Sequence, residues 1–257
     1  MAGWSEPIQP VLRIHGMENK TIARALLFLA TITFVIAPAF TPPFRGYDPA
    51  LFPVQIDRPA IQPAGYAFAI WGLIYLWLIL HAGFGLVKRR DSTVWARPVW
   101  PTIGAVALGT VWLAIATSAP ITATIAILIM AALAATAFLR ADLTCDPWLL
   151  AAPLAIFAGW VTAASAVSLG VMIAGYGLLS NTGAALAMLA LVLPIASAIQ
   201  SHRAKMPIYG VTVSWAIIGV FVTNQGLNNI VAATAGLGAL FIAGITLWLA
   251  RRPNSSV

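Results

Sequence analysis

"RPAIQPAGYAFAIWGLIYLWLIL", residues 58–80, is apolar for long enough to enter a bilayer, yet it opens on two prolines and a glycine and then carries Tyr66, Phe68, Trp71, Tyr75 and Trp77. An anchor alone needs only about 20 aliphatic residues. Phe68, Trp71 and Tyr75 recur at spacings of three and four, which sets them on one face of a helix, whereas Trp77 turns toward a different neighbour or lipid. Pro59 and Pro63 are expected to end a loop and start the helix, since the first turn tolerates a residue without an N–H. The stretch therefore reads as a membrane helix with one aromatic face turned to a ligand.

Outward from it, apolar runs recur along almost the whole chain. Of 257 residues, 61% are hydrophobic and 8% charged, with a mean hydropathy of +0.92, well beyond the ~45–50% apolar share of soluble domains. This predicts an all-α integral membrane protein of about eight transmembrane helices, over about 22–40, 64–87, 98–117, 120–140, 148–169, 177–199, 207–224 and 233–250. The net charge of +7 follows topology: 12 of the 14 Lys and Arg fall in alternate joints and at the chain ends, leaving Arg45 and Arg58 opposite. Under the positive-inside rule both termini are cytoplasmic and segment 41–62 is external. Every basic cluster sits at a span end, so no water-facing basic surface exists for nucleic acid.

All seven acidic residues fall outside the expected spans, which disfavours an ion-coupled transporter, because such proteins keep an ionisable group at membrane depth. His81 is the exception among titratable side chains. It lies near the cytoplasmic end of the second span and is expected to reach headgroup water, with a metal-ligand or gating role as the functional alternative. No His, Cys, Asp and Glu cluster has metal-ligand spacing, and there is neither a phosphate loop nor a nucleophile elbow. The chain is read as no enzyme, with no cofactor required. Cys145 is the single cysteine and reads as a small packing residue.

By helical rise, Trp71 lies ~10 Å, Trp112 ~8 Å and Trp160 ~14 Å below the external surface, which allows the three to share one cavity. The long external loop, with Pro42, Pro43, Pro49, Pro53, Pro59 and Pro63, and with Phe44, Tyr47, Leu51, Phe52 and Ile56 available to pack down, is expected to cover it. Trp95, Trp100, Trp148 and Trp248 sit near cytoplasmic span ends, as an aromatic belt would. "TNQGLNN", residues 223–229, gathers four amides that would bind a ligand's polar edge or a partner subunit, or serve a re-entrant turn. Ala105 with Gly109, and Gly183 with Ala187, permit close helix approach; whether the neighbour is in the same chain, in a homodimer or in a larger membrane complex stays open.

At these residues the sequence resembles the tryptophan-rich sensory protein and translocator protein family, also called TspO/MBR or the peripheral benzodiazepine receptor family. The matching residues are Pro59, Pro63, Phe68, Trp71 and Tyr75, then Trp112 and the "FAGWVTAAS" around Trp160. The asparagine usual three residues before the family's third-helix Trp is Gly109 here. "PAGYAFAIWGLIYL" is similar to long bacterial members, which implies a five-helix TspO-like core over 1–170 with loop 41–62, three additional C-terminal helices over 171–257, and a bacterial inner membrane. The resemblance implies a tetrapyrrole, sterol or isoprenoid ligand, and a pocket formed by Pro59, Pro63, Phe68, Trp71, Tyr75, Trp112 and Trp160.

Two functions compete. One is a sensor or carrier that holds a flat hydrophobic molecule, a bound tetrapyrrole first, in an aromatic pocket in the outer half of the membrane. The other is a non-catalytic structural subunit of a larger pigment or transport complex, with the same aromatics used as interface.

Overall fold

A computed structural model of the chain describes residues 9–252 except 43 and 45, with side chains from position 21 onward. Pro43 and Arg45 of the loop, and the side chains of the basic N-terminal flank before residue 21, thus lie outside the described residues. Among those described, every regular element is helical. They are α1 (Gln9–Ile36), α2 (Ile70–Lys88), the short α3 (Thr93–Ala96), α4 (Val99–Ala116), α5 (Pro120–Arg140), α6 (Pro147–Gly175), α7 (Asn181–His202), α8 (Ile208–Asn224) and α9 (Asn229–Arg251), with 3-10 turns at Ala37–Phe40, Pro49–Leu51 and Gly65–Ala69.

Seven segments are long and apolar enough to cross a membrane, and α8, at 17 residues, is shorter than these. Successive long helices run up and down, so that one end of the bundle gathers the loop before α2 and the α6–α7 and α8–α9 joints. The other end, here the basic end, gathers the start of α1 and the end of α9 with Arg89, Arg97, Arg140 and Arg203. The short helix α3 was not expected; Ser92 caps it by accepting from the Trp95 N–H at 3.4 Å.

Several boundaries move; α9, for one, begins at Asn229 rather than 233. α1 begins at Gln9 rather than near 22. α6 runs on to Gly175, past the expected 169, and the Ser168 hydroxyl within it is satisfied inside the fold by Thr124 at 2.7 Å. α7 begins at Asn181 rather than 177, because Gly177 takes a φ of 72°, open to glycine, and the Ser180 hydroxyl caps the helix by accepting from the Gly183 N–H at 3.1 Å.

α6 is the central post. Its most apolar window is 72% buried, against 28–39% for the other spans, and it packs on α2, α5, α7 and α8. Small residues let this happen: a Cβ on Gly159 would stand 2.7 Å from the Tyr209 carbonyl of α8, so the two backbones touch there. Around the post, α1 packs on α2 and α4, α4 on α5, and α9 on α7 and α8.

At the basic end, Asp146, in a left-handed conformation with φ 49° just before α6, receives both Nε and Nη2 of Arg89, at 2.7 and 3.0 Å. Trp95 donates its indole N–H to the same carboxylate at 3.0 Å. Trp95 is therefore core, 2% exposed, not a member of the belt, whereas Trp100, Trp148 and Trp248 are all more than half exposed. His81 is also buried rather than reaching headgroup water. It stacks on Trp95 with ring centres 5.3 Å apart and donates from Nδ1 to the Leu149 carbonyl at 2.8 Å, which ties α2 to α6. Trp77 finds α6 too, donating to the Trp148 carbonyl at 2.8 Å.

Candidate ligand pocket

The prolines do not start α2. Pro59 accepts the Gln62 N–H at 2.9 Å in a turn, and Pro63 precedes the 3-10 turn Gly65–Ala69, from which the α-helix grows at Ile70. Phe68 thus belongs to the tighter turn, with Trp71 and Tyr75 in the first two turns of α2. All three still converge. Trp71 stacks on Tyr75 with centres 5.2 Å apart and planes at 27°; Trp160 of α6 meets Trp71 edge-on at 6.2 Å and Phe68 at 5.6 Å. Such offset and edge arrangements suit the quadrupoles of aromatic rings.

Trp112 of α4 is held by its indole N–H, which donates to the Ala123 carbonyl of α5 at 2.8 Å. With Phe68, Trp71, Tyr75 and Trp160 it lines a chamber of ≈ 270 Å³. Phe34 of α1 completes this wall, edge-on to Trp71 at 5.9 Å and Tyr75 at 5.3 Å. Trp160 lies fifteen residues from the end of the lengthened α6, ~22 Å rather than ~14 Å. It meets the start of α2 nonetheless, because the loop and the 3-10 turn occupy the end of the bundle above that start.

A second chamber of ≈ 80 Å³ adjoins the first, with Phe44, Phe68, Trp112 and Trp160 common to both walls. Its far side is aliphatic and comes from helices that follow α6 in the chain: Leu189 and Val192 of α7, Ala216 and Ile217 of α8. Pro63 lines this annex; Pro59 lines neither chamber. Among the described residues no charged side chain lines either one. Trp71, Tyr75 and Trp160 make no hydrogen bond to a described residue, so the chamber wall keeps two indole N–H donors and one phenol unspent.

The loop lies over both chambers. Phe44 meets Trp112 edge-on at 5.1 Å. Tyr47 bonds Ser168 at 2.6 Å, and Ser168 bonds Thr124; burial pushes the Tyr47 phenol up from its ordinary pKa, while these two hydroxyls oppose the shift. Phe52 is buried against Gly175 and edge-on to Tyr176, and the Val54 N–H donates to the Gly175 carbonyl at 2.9 Å. Leu51 does not pack down; it is exposed.

The run that enters α2 is fastened by the C-terminal helices. Asn181 of α7 accepts the Ala60 N–H at 2.8 Å and donates to the Arg58 carbonyl at 2.9 Å. Asn224 of α8 donates to the Ala60 carbonyl at 2.7 Å, the Ala64 N–H donates to the Gly219 carbonyl at 3.0 Å, and the Trp215 indole donates to the Ala67 carbonyl at 3.1 Å. Asn228 caps α9 by accepting from the Val231 N–H at 3.2 Å and donates to Thr182 at 2.7 Å. Asn224 and Asn228 of the "TNQGLNN" cluster therefore fasten the loop and a helix end within the chain.

Phe34 was legible only as an aromatic on the first span, without the spacing that marks α2. The aliphatic wall from α7 and α8 carried no signal, because Leu and Val facing a pocket read like Leu and Val facing lipid. The profile of the family described as TSPO-like protein matches residues 21–248, from α1 into α9. No curated protein and no solved structure matches the chain. The family match spans the aromatic chamber and continues through α7 and α8, which wall the annex and tie down the loop. This multi-pass membrane protein belongs to the TSPO-like protein family.

Proposed function

We propose that the protein is a non-catalytic sensor or carrier that takes a flat hydrophobic ligand, a tetrapyrrole first and a sterol or isoprenoid next, into the aromatic chamber. The carrying observation is the meeting of Phe68, Trp71, Tyr75, Trp112 and Trp160, from three helices and a 3-10 turn, around one uncharged cavity. Apolar walls with few polar groups are the general form of a small-molecule site. The unspent indole donors would take acceptor atoms on the ligand, and ionised substituents would stay outside the uncharged wall, at the loop. Family membership supports the non-catalytic reading.

In this reading the chain crosses a bacterial inner membrane eight times, with both termini cytoplasmic and the loop external. α8, seventh in chain order, would complete the eight: it runs ~25 Å, and it is bonded at both ends of the bundle, through Gly210 to Gln200 at 2.9 Å and through Asn224 to Ala60. The core over 1–170 would hold the aromatics and the helices over 171–257 would complete the pocket and its cover.

The test is a titration of purified protein with protoporphyrin and with a sterol, followed by quenching of tryptophan fluorescence, wild type beside Trp71→Phe. Saturable quenching that weakens in the variant is expected. Absence of a saturable signal with either ligand would refute the pocket's role and favour the structural subunit, to be pursued by identifying proteins that co-elute in mild detergent.

A further inference from the structure

At the basic end, away from the aromatic chamber, an open basin of ≈ 750 Å³ is lined by Arg97, Arg140 and Arg203, by Asp142, and by an apolar floor including Leu139 and Leu143. The three guanidiniums arrive from separate places: Arg97 between α3 and α4, Arg140 from the last residue of α5, and Arg203 from the end of α7. Asp142, the one carboxylate there, is spent on its own loop. Its Oδ1 accepts from the Thr144 N–H at 2.8 Å, the Thr144 hydroxyl at 2.7 Å and the Cys145 N–H at 2.8 Å, and these bonds, helped by Arg97, hold its pKa below the ordinary carboxylate range. Among the described residues the ion pairs are Arg89 with Asp146 and Arg90 with Asp91, so no carboxylate lies within bridging distance of the three arginines. Three cations against one committed anion leave the basin with a net positive charge of two.

Depth supplies the second constraint. Trp100, three residues beyond Arg97, and Trp148, at the start of α6, are exposed, and exposed tryptophans at span ends sit at headgroup level. Guanidinium forks match phosphate oxygens, and charge-assisted bonds of that kind are about twice as strong as neutral ones. Basic pockets between membrane helices on the cytoplasmic side suit phospholipid heads. We propose that this basin binds a phosphate group, supplied by an anionic phospholipid of the adjacent leaflet or by a soluble phosphate, with the arginines as its ligands and Leu139 and Leu143 beneath the attached chain.

The experiment uses the full-length protein in mild detergent, with phosphatidylglycerol, phosphatidylcholine and inorganic phosphate as probes. Bound lipid is counted by native mass spectrometry and thermal unfolding is followed for each probe. The variants are R97Q/R140Q/R203Q, the single R140Q on an exposed side chain, and R251Q/R252Q, which removes two positive charges outside the basin. Wild type is expected to keep phosphatidylglycerol over phosphatidylcholine, with at least about fivefold fewer phosphatidylglycerol adducts in the triple variant, a partial loss in R140Q, and none in R251Q/R252Q. Stabilisation by phosphatidylglycerol alone assigns the phosphate to lipid; stabilisation by inorganic phosphate that the triple variant loses assigns it to a soluble ion. Equal retention of both lipids by wild type, or equal losses in R140Q and R251Q/R252Q, with no effect of inorganic phosphate, would overturn the site.

Discussion

Trp71 meets three other rings of the chamber wall, with Tyr75 stacked on it and Phe34 and Trp160 edge-on. Aromatic pairs add ~0.5–1.5 kcal/mol each beyond buried area, so replacing the ring removes both wall and support. Trp71→Leu is expected to weaken ligand binding by about tenfold or more, on the order of 1.4 kcal/mol, with helical content by circular dichroism preserved; unchanged affinity in a folded variant would remove Trp71 from the site. Gly109 illustrates a different constraint. A Cβ there would stand 2.4 Å from the Phe34 ring, so the asparagine usual in the wider family is excluded by the ring that completes this chamber. Gly109→Asn should cost ~1–3 kcal/mol by overpacking, read as a lowered unfolding midpoint in detergent.

Asp146 gives a residue-scale expectation in pH. The Arg89 fork above all, then the Trp95 and Cys145 bonds, outweigh burial and hold its pKa down to about 2, below the ~3.9 of an unfolded aspartate. A depressed carboxylate stabilises the fold above the unfolded value and loses that contribution as protons return. Wild type should therefore unfold at higher temperature than Asp146→Asn at pH 6, with the gap closing as the pH falls from about 4 to about 2. A gap independent of pH would show that the carboxylate charge is not what joins α2, α3 and α6.

Among the elements, the loop before α2 is the one that covers the chambers. Its hold on the bundle near Tyr47 is a chain of hydroxyls, Tyr47 to Ser168 to Thr124, reaching α6 and α5. Deleting the phenol removes its bond to Ser168, at a net cost of ~0.5–1.5 kcal/mol, while Ser168 and Thr124 keep each other as partners. Tyr47→Phe is expected to raise amide hydrogen exchange over residues 44–54 while exchange in α6 stays slow; unaltered exchange would mean that Phe52 and the Val54 bond to Gly175 hold the loop by themselves.

For the whole molecule, the helical class, the alternation of basic ends and the aromatic stripe Phe68, Trp71 and Tyr75 were legible because hydropathy, charge and spacing report directly on a bilayer and on helix faces. Depth alone did not place Trp160, which lies ~22 Å rather than ~14 Å from the end of α6 and meets Trp71 because the loop and the 3-10 turn lower the start of α2. His81 and Trp95 misread, since nothing in their spacing announced that Asp146 and the Leu149 carbonyl would draw them inward. The share of α7 and α8 in the pocket was illegible for a stronger reason: packing against a cavity and packing against lipid demand the same side chains. That share is testable. Ala216→Leu would fill part of the annex and should weaken binding of a ligand long enough to enter it, measured by the same quenching, while a compact ligand confined to the aromatic chamber binds as before.

The bonds from Asn181, Asn224, Gly219 and Trp215 to the run from Arg58 to Ala67 also bear on how the protein is made. A ribosome delivers α2 long before α8, so the entry to α2 leaves the exit tunnel with its backbone partners still unsynthesised. Until α8 inserts, those carbonyls and N–H groups must be served by water or by the insertion machinery. The aromatic chamber and its cover are thus among the last parts of the chain to mature, and a nascent protein halted after α6 would be membrane-bound with its chamber incomplete.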